Sequence, residues 1–290
     1  MISIDLRTRV AARLALDITR PRDLVGLRAL YAAWCRHVPF DNVRKLIALR
    51  TGVTGPLPGN DATDFLENFL QHGTGGTCWS SSNALFAMVQ GFGFAARRVA
   101  GSMRDVGVPG HGSIKVLIDG VDWLVDSSML TMYPIPIGDT LHVDRHPIFG
   151  VEVEPGVGDH AGTHVVWFDS PPHENYFPCR LLFDPVDYDF YVERYEISRT
   201  KGPFNHHLSV RYNRGDARSV LQGHTRHRQT MQGVESVALT RDELCAELRD
   251  VVGMSRDIIA QWVACGALDA AYEPYAGPTP APLGTPPSRR

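Results

Sequence analysis

The feature that most limits what this chain can fold into is a change of hydrophobic period near residue 95. Before it, apolar side chains recur at helical spacing. Leu24, Leu27, Leu30, Tyr31 and Trp34 form one such face, Phe65, Phe69 and Leu70 a second, and Ala84, Leu85, Ala87, Met88 and Val89 a third. After it come short strand-like runs at 97–101, 114–118, 121–125, 151–153, 163–168 and 188–196, punctuated by Gly, Pro and Asp. A pattern with period 3.6 does not sit on a pleated strand, nor the reverse. Helices followed by strands therefore predict an α+β chain. The strands predict a small antiparallel barrel or sandwich.

Local signals set the boundaries. Pro21 precedes a helix that should stop near His37, ahead of Pro39. Residues 52–60 read as a loop, and 61–71 as a short helix. Beyond residue 200, strand-like stretches at 207–212, 219–224 and 234–239 precede a closing helix. Thr240 and Glu243 form a capping pattern at its start, and Leu244, Leu248, Val251 and Val252 give its apolar face. The charged cluster Arg226-His227-Arg228 reads as a solvated face. The Pro-rich last twenty residues predict disorder. The expected segments are a helical 1–94, a strand-rich 95–200, a mixed 201–270 and a tail 271–290.

Composition excludes several classes. Of 290 residues, 43% are hydrophobic and 21% charged, and the formal net charge is −3. That balance suits a globular protein and gives no reason to expect nucleic acid or a membrane as partner. The five cysteines, 35, 78, 179, 245 and 265, are scattered, with no CxxC pair. This argues against a disulfide framework or zinc ribbon and for the reducing cytoplasm. No apolar run approaches membrane-spanning length, and the N-terminus lacks a signal pattern. The pairs His142/His146 and His160/His164 have ligand-like spacing but sit in Gly- and Pro-rich stretches without a third ligand, so no metal site is expected.

The chemistry centres on Gly75-Gly76-Thr77-Cys78-Trp79. The glycines permit a tight turn and close approach of a ligand. A helix follows, with Ser80, Ser81 and Ser82 as N-cap or first-turn candidates. A thiol at a helix N-terminus is favoured as thiolate, the nucleophilic form. A base is available downstream. Asp119-Gly120 is a hairpin turn between 114–118 and 121–125, and folding about it brings His111 and Asp126 to the same end. A carboxylate beside an imidazole fixes its tautomer and stabilises its charged form. Cys78, His111 and Asp126 thus have the residue types of a nucleophile, base and orienting group.

With these residues in place, the chain resembles the arylamine N-acetyltransferases. The resemblance rests on Gly-Gly-x-Cys at 75–78, on His111, and on Asp126 within Trp-Leu-Val-Asp. It is supported by Val38-Pro39-Phe40-Asp41-Asn42-Val43, similar to that family's Ile-Pro-Phe-Glu-Asn-Leu, and by Gly202-Pro203-Phe204, similar to its Ser-Pro-Phe. It extends over about residues 20–270. The resemblance implies an N-terminal helical bundle with a cysteine-proteinase-like core, a central antiparallel β-barrel and a C-terminal α/β lid. It also implies ping-pong transfer of an acyl group from acetyl-coenzyme A or another acyl thioester, through acyl-cysteine, to a small-molecule amine. No permanently bound cofactor is implied, and an acyl carrier protein is a further candidate partner. Substrate-binding positions are placed at Phe40, Met103, Met129 and Phe204. The alternative reading is a thioester or amide hydrolase, or a transglutaminase-like enzyme, with the same triad.

Three departures from the family pattern bear on the substrate. Thr74 stands where the family has Arg, and Ser80 and Ser82 where it has an acid or amide and Asn. Ser127-Ser128-Met129-Leu130 replaces Val-Gly-Phe-Gly. The flexible thioether of Met129 suits a larger or irregular acyl group, and points to a specialised member.

Overall fold

A computed structural model describes residues 2–17, 19–275, 277, 283 and 285–289. The chain opens with α1 (Ile4–Arg13), α2 (Leu24–His37), the two-residue strand β1 (Phe40–Asp41), α3 (Val43–Arg50), α4 (Ala62–His72) and α5 (Cys78–Gly91). Side-chain caps set the helix starts. Asp23 accepts from the Gly26 N–H at the start of α2, and Asp61 from the Thr63 and Asp64 N–H groups at the start of α4. Gly73 ends α4 in the left-handed region, φ 67°. The helix expected at 61–71 is thus present, with its boundary shifted by one residue.

The strands follow: β2 (Ala95–Met103), β3 (His111–Ile118), β4 (Val121–Val125), β5 (Ile135–Ile137), β6 (His142–Asp144), β7 (Val151–Pro155), β8 (His164–Ser170) and β9 (His173–Val186). They form one antiparallel sheet in the order β5-β4-β3-β2-β9-β8-β7-β6. Val99, Leu124, Ile135, Val151, Val166 and Cys179 come from strands across its full width, yet share one buried cluster. A flat sheet could not bring them together; the sheet curls into a nearly closed barrel.

Residues 188–196 correct the sequence reading. They lie in α6 (Tyr188–Lys201), not in a strand. Asp187 caps this helix by accepting from the Phe190 N–H. Tyr191 and Tyr195, four residues apart, are buried on one face. The Tyr191 ring meets Trp79 of α5 edge-on, with centroids 5.0 Å apart. Aromatic content looked like β-propensity, but the spacing of the buried tyrosines is helical.

The last segment contains β10 (Ser209–Arg214), β11 (Ala217–Gln222), β12 (Thr225–Thr230), β13 (Gly233–Ala238), α7 (Arg241–Ala246) running into a π-helical turn at Glu247–Val252, α8 (Arg256–Ala264) and α9 (Ala267–Ala270). The capping box of Thr240 and Glu243 is present. The charged stretch 225–229 is a strand, β12, and the Arg226-His227-Arg228 cluster is solvated only in part: Arg228 is exposed. His227 is buried and Arg226 pairs with Glu247 at 3.1 Å. The sheet order β1-β10-β11-β12-β13 places β1 at its edge. Val43 and Leu46 of α3 join the core of this last segment, alongside Leu244, Leu248, Ile258 and Trp262. Residues 40–50 therefore cross from the helical segment to pack with the C-terminal one.

The Pro-rich tail is described only in part. Residues 276, 278–282, 284 and 290 lie outside the described residues. Ala271 is buried in the C-terminal core, and Ser288 N–H donates to Glu152 Oε2 at 2.9 Å. Among the described residues no helix is long and apolar enough to cross a membrane.

Candidate active site

The Gly-Gly-x-Cys turn is held from below by β1. Gly75 N–H donates to the Asp41 carboxylate, and Asp41 N–H donates to the Gly76 carbonyl at 3.2 Å. Phe40 forms a parallel bridge to Gly76. Close approach is what requires glycine here: a Cβ on Gly75 would stand 1.7 Å from the Pro39 carbonyl oxygen, and one on Gly76 would stand 2.4 Å from Ser80 Oγ. Asp41 also accepts from Val43 N–H at 2.9 Å. Burial outweighs these bonds and raises its carboxyl to about 6. The two sequence stretches around Phe40 and Cys78 are thus one structural unit.

Cys78 is the first residue of α5, and the N-cap is Thr77, not one of the three serines. The Thr77 side chain makes no cap hydrogen bond. The serines serve the interior instead. Ser80 Oγ donates to Thr77 O at 3.1 Å. Ser82 Oγ donates to Gly112 O at 2.7 Å and lies 2.9 Å from Ser127 Oγ. Ser82 is one helical turn beyond Cys78, Gly112 follows His111, and Ser127 follows Asp126. One hydroxyl therefore ties together the three strands of chain that carry the candidate triad.

The hairpin pairs as its turn residues dictate, from Ile118↔Val121 to Ile114↔Val125. This places His111 at the start of β3 opposite the residue after β4. His111 Nε2 and Asp126 Oδ2 are 2.6 Å apart. Asp126 engages Nε2, and interaction with the Cys78 side chain further favours charge on the ring. Cys78 Sγ also lies 3.7 Å from Gly110 O. All three side chains are buried, with relative exposures of 6%, 2% and 0% for Cys78, His111 and Asp126.

The surroundings fix the Asp126 carboxylate. Its Oδ1 accepts from the N–H groups of Ser128 at 2.8 Å and Met129 at 2.9 Å. Tyr31, fully buried on α2, donates its hydroxyl to the Asp126 carbonyl at 2.7 Å. Burial opposes charge on both partners of the pair. The mutual attraction of His111 and Asp126 and the backbone donors outweigh it, so the carboxyl is held below its ordinary value. For the imidazole too, burial opposes the charged form. Asp126 pushes it well above its ordinary value.

The other expected positions divide. Phe40 and Phe204 meet edge-on with centroids 5.0 Å apart, and Asn42 Nδ2 fastens the Phe204 and His207 carbonyls at 3.0 and 2.7 Å. The Pro-Phe-Asp-Asn and Gly-Pro-Phe stretches therefore converge beside Gly76. Met103, at the end of β2, is partly buried against the barrel core. Met129 lies wholly inside that core, with no exposed surface, because its N–H is drawn in by Asp126 and its side chain packs with Leu124 and Val166. It stands behind the triad rather than on an open wall. Thr74 is buried, and its hydroxyl finds no partner among the described residues. Among the described residues no group of three or more His, Cys, Asp and Glu side chains is arranged to hold a metal.

The roles of three side chains around the site escaped the sequence reading. That of Ser82 could have been found from its i, i+4 relation to Cys78. Those of Tyr31 and Arg211 could not, because each reaches the site from a distant element. Arg211 of β10 is half-buried; it donates to the Ser128 carbonyl and, at 2.8 Å, to Ser170 Oγ.

Comparison with known proteins agrees with this arrangement. A family model described as N-acetyltransferase matches residues 23–148. Curated proteins returned no match. Among solved structures, the arylamine N-acetyltransferase of Mycobacterium marinum superposes with a TM-score of 0.76 at 18% identity, over 92% of this chain and 100% of that one. The Salmonella typhimurium enzyme gives 0.75 at 17% identity, over 92% and 99%. An arylamine N-acetyltransferase from Bacillus cereus, described as having a Cys-His-Glu catalytic triad, gives 0.71 at 14% identity, over 87% and 100%. The family match and the shared fold bear out the resemblance drawn from the sequence and its reading as an acyltransferase.

Proposed function

We propose that this chain, with the N-acetyltransferase pattern over residues 23–148 and the arylamine N-acetyltransferase fold over about nine-tenths of its length, moves an acyl group from a thioester to an amine through an acyl-Cys78 intermediate. The observation that carries the reading is the buried His111–Asp126 hydrogen bond together with Cys78 at the N-terminus of α5, its Sγ 3.7 Å from the carbonyl of Gly110, the residue before His111.

His111 takes the thiol proton, and Asp126 stabilises the resulting imidazolium. The Cys78 thiolate attacks the thioester carbonyl. Charge on the carbonyl oxygen is met by first-turn N–H groups of α5, which Thr77 leaves uncapped. The tetrahedral species collapses, the thiol of the donor leaves with a proton from His111, and acyl-Cys78 remains. An amine then attacks that ester, His111 accepts the amine's proton, and the amide departs as Cys78 is regenerated. Phe40 and Phe204 offer an aromatic edge beside the turn for an aryl acceptor. The donor is acetyl-coenzyme A or a longer acyl thioester, the latter carried by coenzyme A or a carrier protein.

Steady-state kinetics with acetyl-coenzyme A and an aniline or hydrazine test the order of events. Parallel double-reciprocal lines and dependence of turnover on amine are expected. Turnover that proceeds in buffer at the same rate without amine would replace this reading with a thioester hydrolase.

A further inference from the structure

The turn that follows β4 adopts a backbone its own residues do not favour. Leu130 and Met132 stand at φ 51° and 71°, in the left-handed region. A Cβ there crowds the following carbonyl, and neither Leu nor Met has the short polar side chain that lets Asn or Asp tolerate it. Asp126 is the first residue of this turn, which closes through the Leu130 N–H on the Asp126 carbonyl at 3.3 Å. Contacts from outside must hold such a backbone in place.

Two elements outside the barrel supply them. Tyr31 of α2 gives its hydroxyl proton to Asp126 O at 2.7 Å. The same hydroxyl oxygen accepts from the Asp126 N–H at 3.2 Å and the Thr131 N–H at 3.4 Å. It also lies 3.1 Å from Thr131 Oγ1, which donates to Tyr133 O at 3.0 Å. One phenol thus grips both ends of the turn. From β10, Asn213 Nδ2 donates to Leu130 O at 2.9 Å and Arg211 donates to the Ser128 carbonyl. The carbonyls of 126, 128 and 130 are each taken by a side chain from another element. Asp126, Ser127, Leu130 and Thr131 have no exposed surface, so water does not replace a lost bond.

We propose that Tyr31 is a positioning residue: through its hydroxyl, α2 holds this left-handed turn and so aims the Asp126 carboxylate at His111. The turn and the carboxylate move as one body, because Oδ1 is bound by the Ser128 and Met129 N–H groups while Oδ2 meets His111 Nε2 at 2.6 Å. A phenylalanine would fill the same volume, so the hydroxyl bonds are what tyrosine adds here. Tyr31 acts through Asp126. The effect on rate rests on the triad reading of the site; the effect on the His111–Asp126 bond does not.

A hydroxyl that only stabilised the fold would also cost stability when removed, so the test reads more than a melt. Tyr31→Phe keeps the ring and removes the hydroxyl. Tyr212→Phe is the control, since it removes a buried hydroxyl that donates to the Glu247 carboxylate in the C-terminal core. The full chain is studied below the melting temperature of each variant. Proton NMR with isotope-labelled histidine follows the His111 ring proton shared with Asp126, identified by its absence from His111→Gln. Single-turnover mass spectrometry with acetyl-coenzyme A gives the rate of acyl-Cys78 formation and the donor concentration at half that rate. In Tyr31→Phe the ring proton is expected to move upfield and the rate to fall about ten- to hundredfold, with half-saturation within about threefold of wild type. Tyr212→Phe should match wild type in all three. An unchanged ring proton and rate in folded Tyr31→Phe would overturn the proposal, as would an equal loss in Tyr212→Phe. Where Tyr31→Phe does not fold, Asn213→Ala carries the test: it frees the Leu130 carbonyl of the same turn, and an unchanged ring proton there would overturn the proposal. A wild type that forms no acyl-Cys78 would sink the acyl-transfer reading, while the ring proton would still decide the role of Tyr31.

Discussion

Asp126 performs three tasks with one carboxylate. It fixes the His111 ring, accepts two backbone N–H groups and turns the chain after β4. Asp126→Asn keeps the shape but presents an amide donor where an acceptor is needed. Turnover should fall by about three to four orders of magnitude, with a stability loss of roughly 1–3 kcal/mol from the unmet buried donors. Single-turnover kinetics and denaturant titration check the two halves separately; activity within tenfold of wild type would remove Asp126 from its role. Asp41 gives a test of opposite sign. Its folded value, about 6, is above its ordinary 3.8, so the folded state binds the proton more tightly than the unfolded state. Stability from this group is therefore gained as pH falls through 6 toward 4, by about 3 kcal/mol at most. The stability of wild type minus that of Asp41→Ala should rise over that interval; a flat difference would contradict the burial argument.

At the scale of elements, the site depends on how closely β1, the Gly-Gly turn and α5 approach. Gly75→Ala forces a Cβ to 1.7 Å from a backbone oxygen that cannot swing away. It should destabilise the chain by several kcal/mol or prevent folding, as a thermal melt would reveal. Ser82→Ala is milder. It removes the bonds from α5 to Gly112 and Ser127 while leaving every triad side chain in place. A loss of about 1–2 kcal/mol in stability is expected. Turnover should fall further than that loss implies, since Cys78 is no longer fixed relative to His111. Wild-type turnover in Ser82→Ala would show that packing alone sets the geometry. The same elements explain what was legible in the sequence. The β3–β4 hairpin and the start of α5 are encoded locally, by Asp119-Gly120 and by a helical run after two glycines, and both were readable. α6 was misread because Tyr191 is buried against Trp79, a contact that no local window contains. Residues 225–229 were misread in part because Arg226 is paired with Glu247, from a later element.

At the scale of the molecule, the candidate site is assembled from distant chain segments. The nucleophile comes from α5, the base and orienting group from the barrel, and Phe40, Phe204 and Arg211 from the region where β1 joins the C-terminal sheet. This crossover of residues 40–50 was invisible from sequence, because a two-residue strand has no periodicity. Arg211 links the C-terminal sheet to Ser128 and Ser170 of the barrel, and Arg218 adds a bond to Asp169 Oδ1 at 2.8 Å. Met129 is buried in the barrel core. The central claim is covalent catalysis by Cys78, and intact-protein mass spectrometry tests it most directly. Wild type and Cys78→Ala are mixed with acetyl-coenzyme A, and in parallel with longer acyl thioesters, without amine. The account predicts the mass of one acyl group added to wild type, mapped to the peptide containing Cys78, lost on adding an aromatic amine and never seen in Cys78→Ala. No donor adding mass to the wild type, or equal loading of the Cys78→Ala chain, would contradict it.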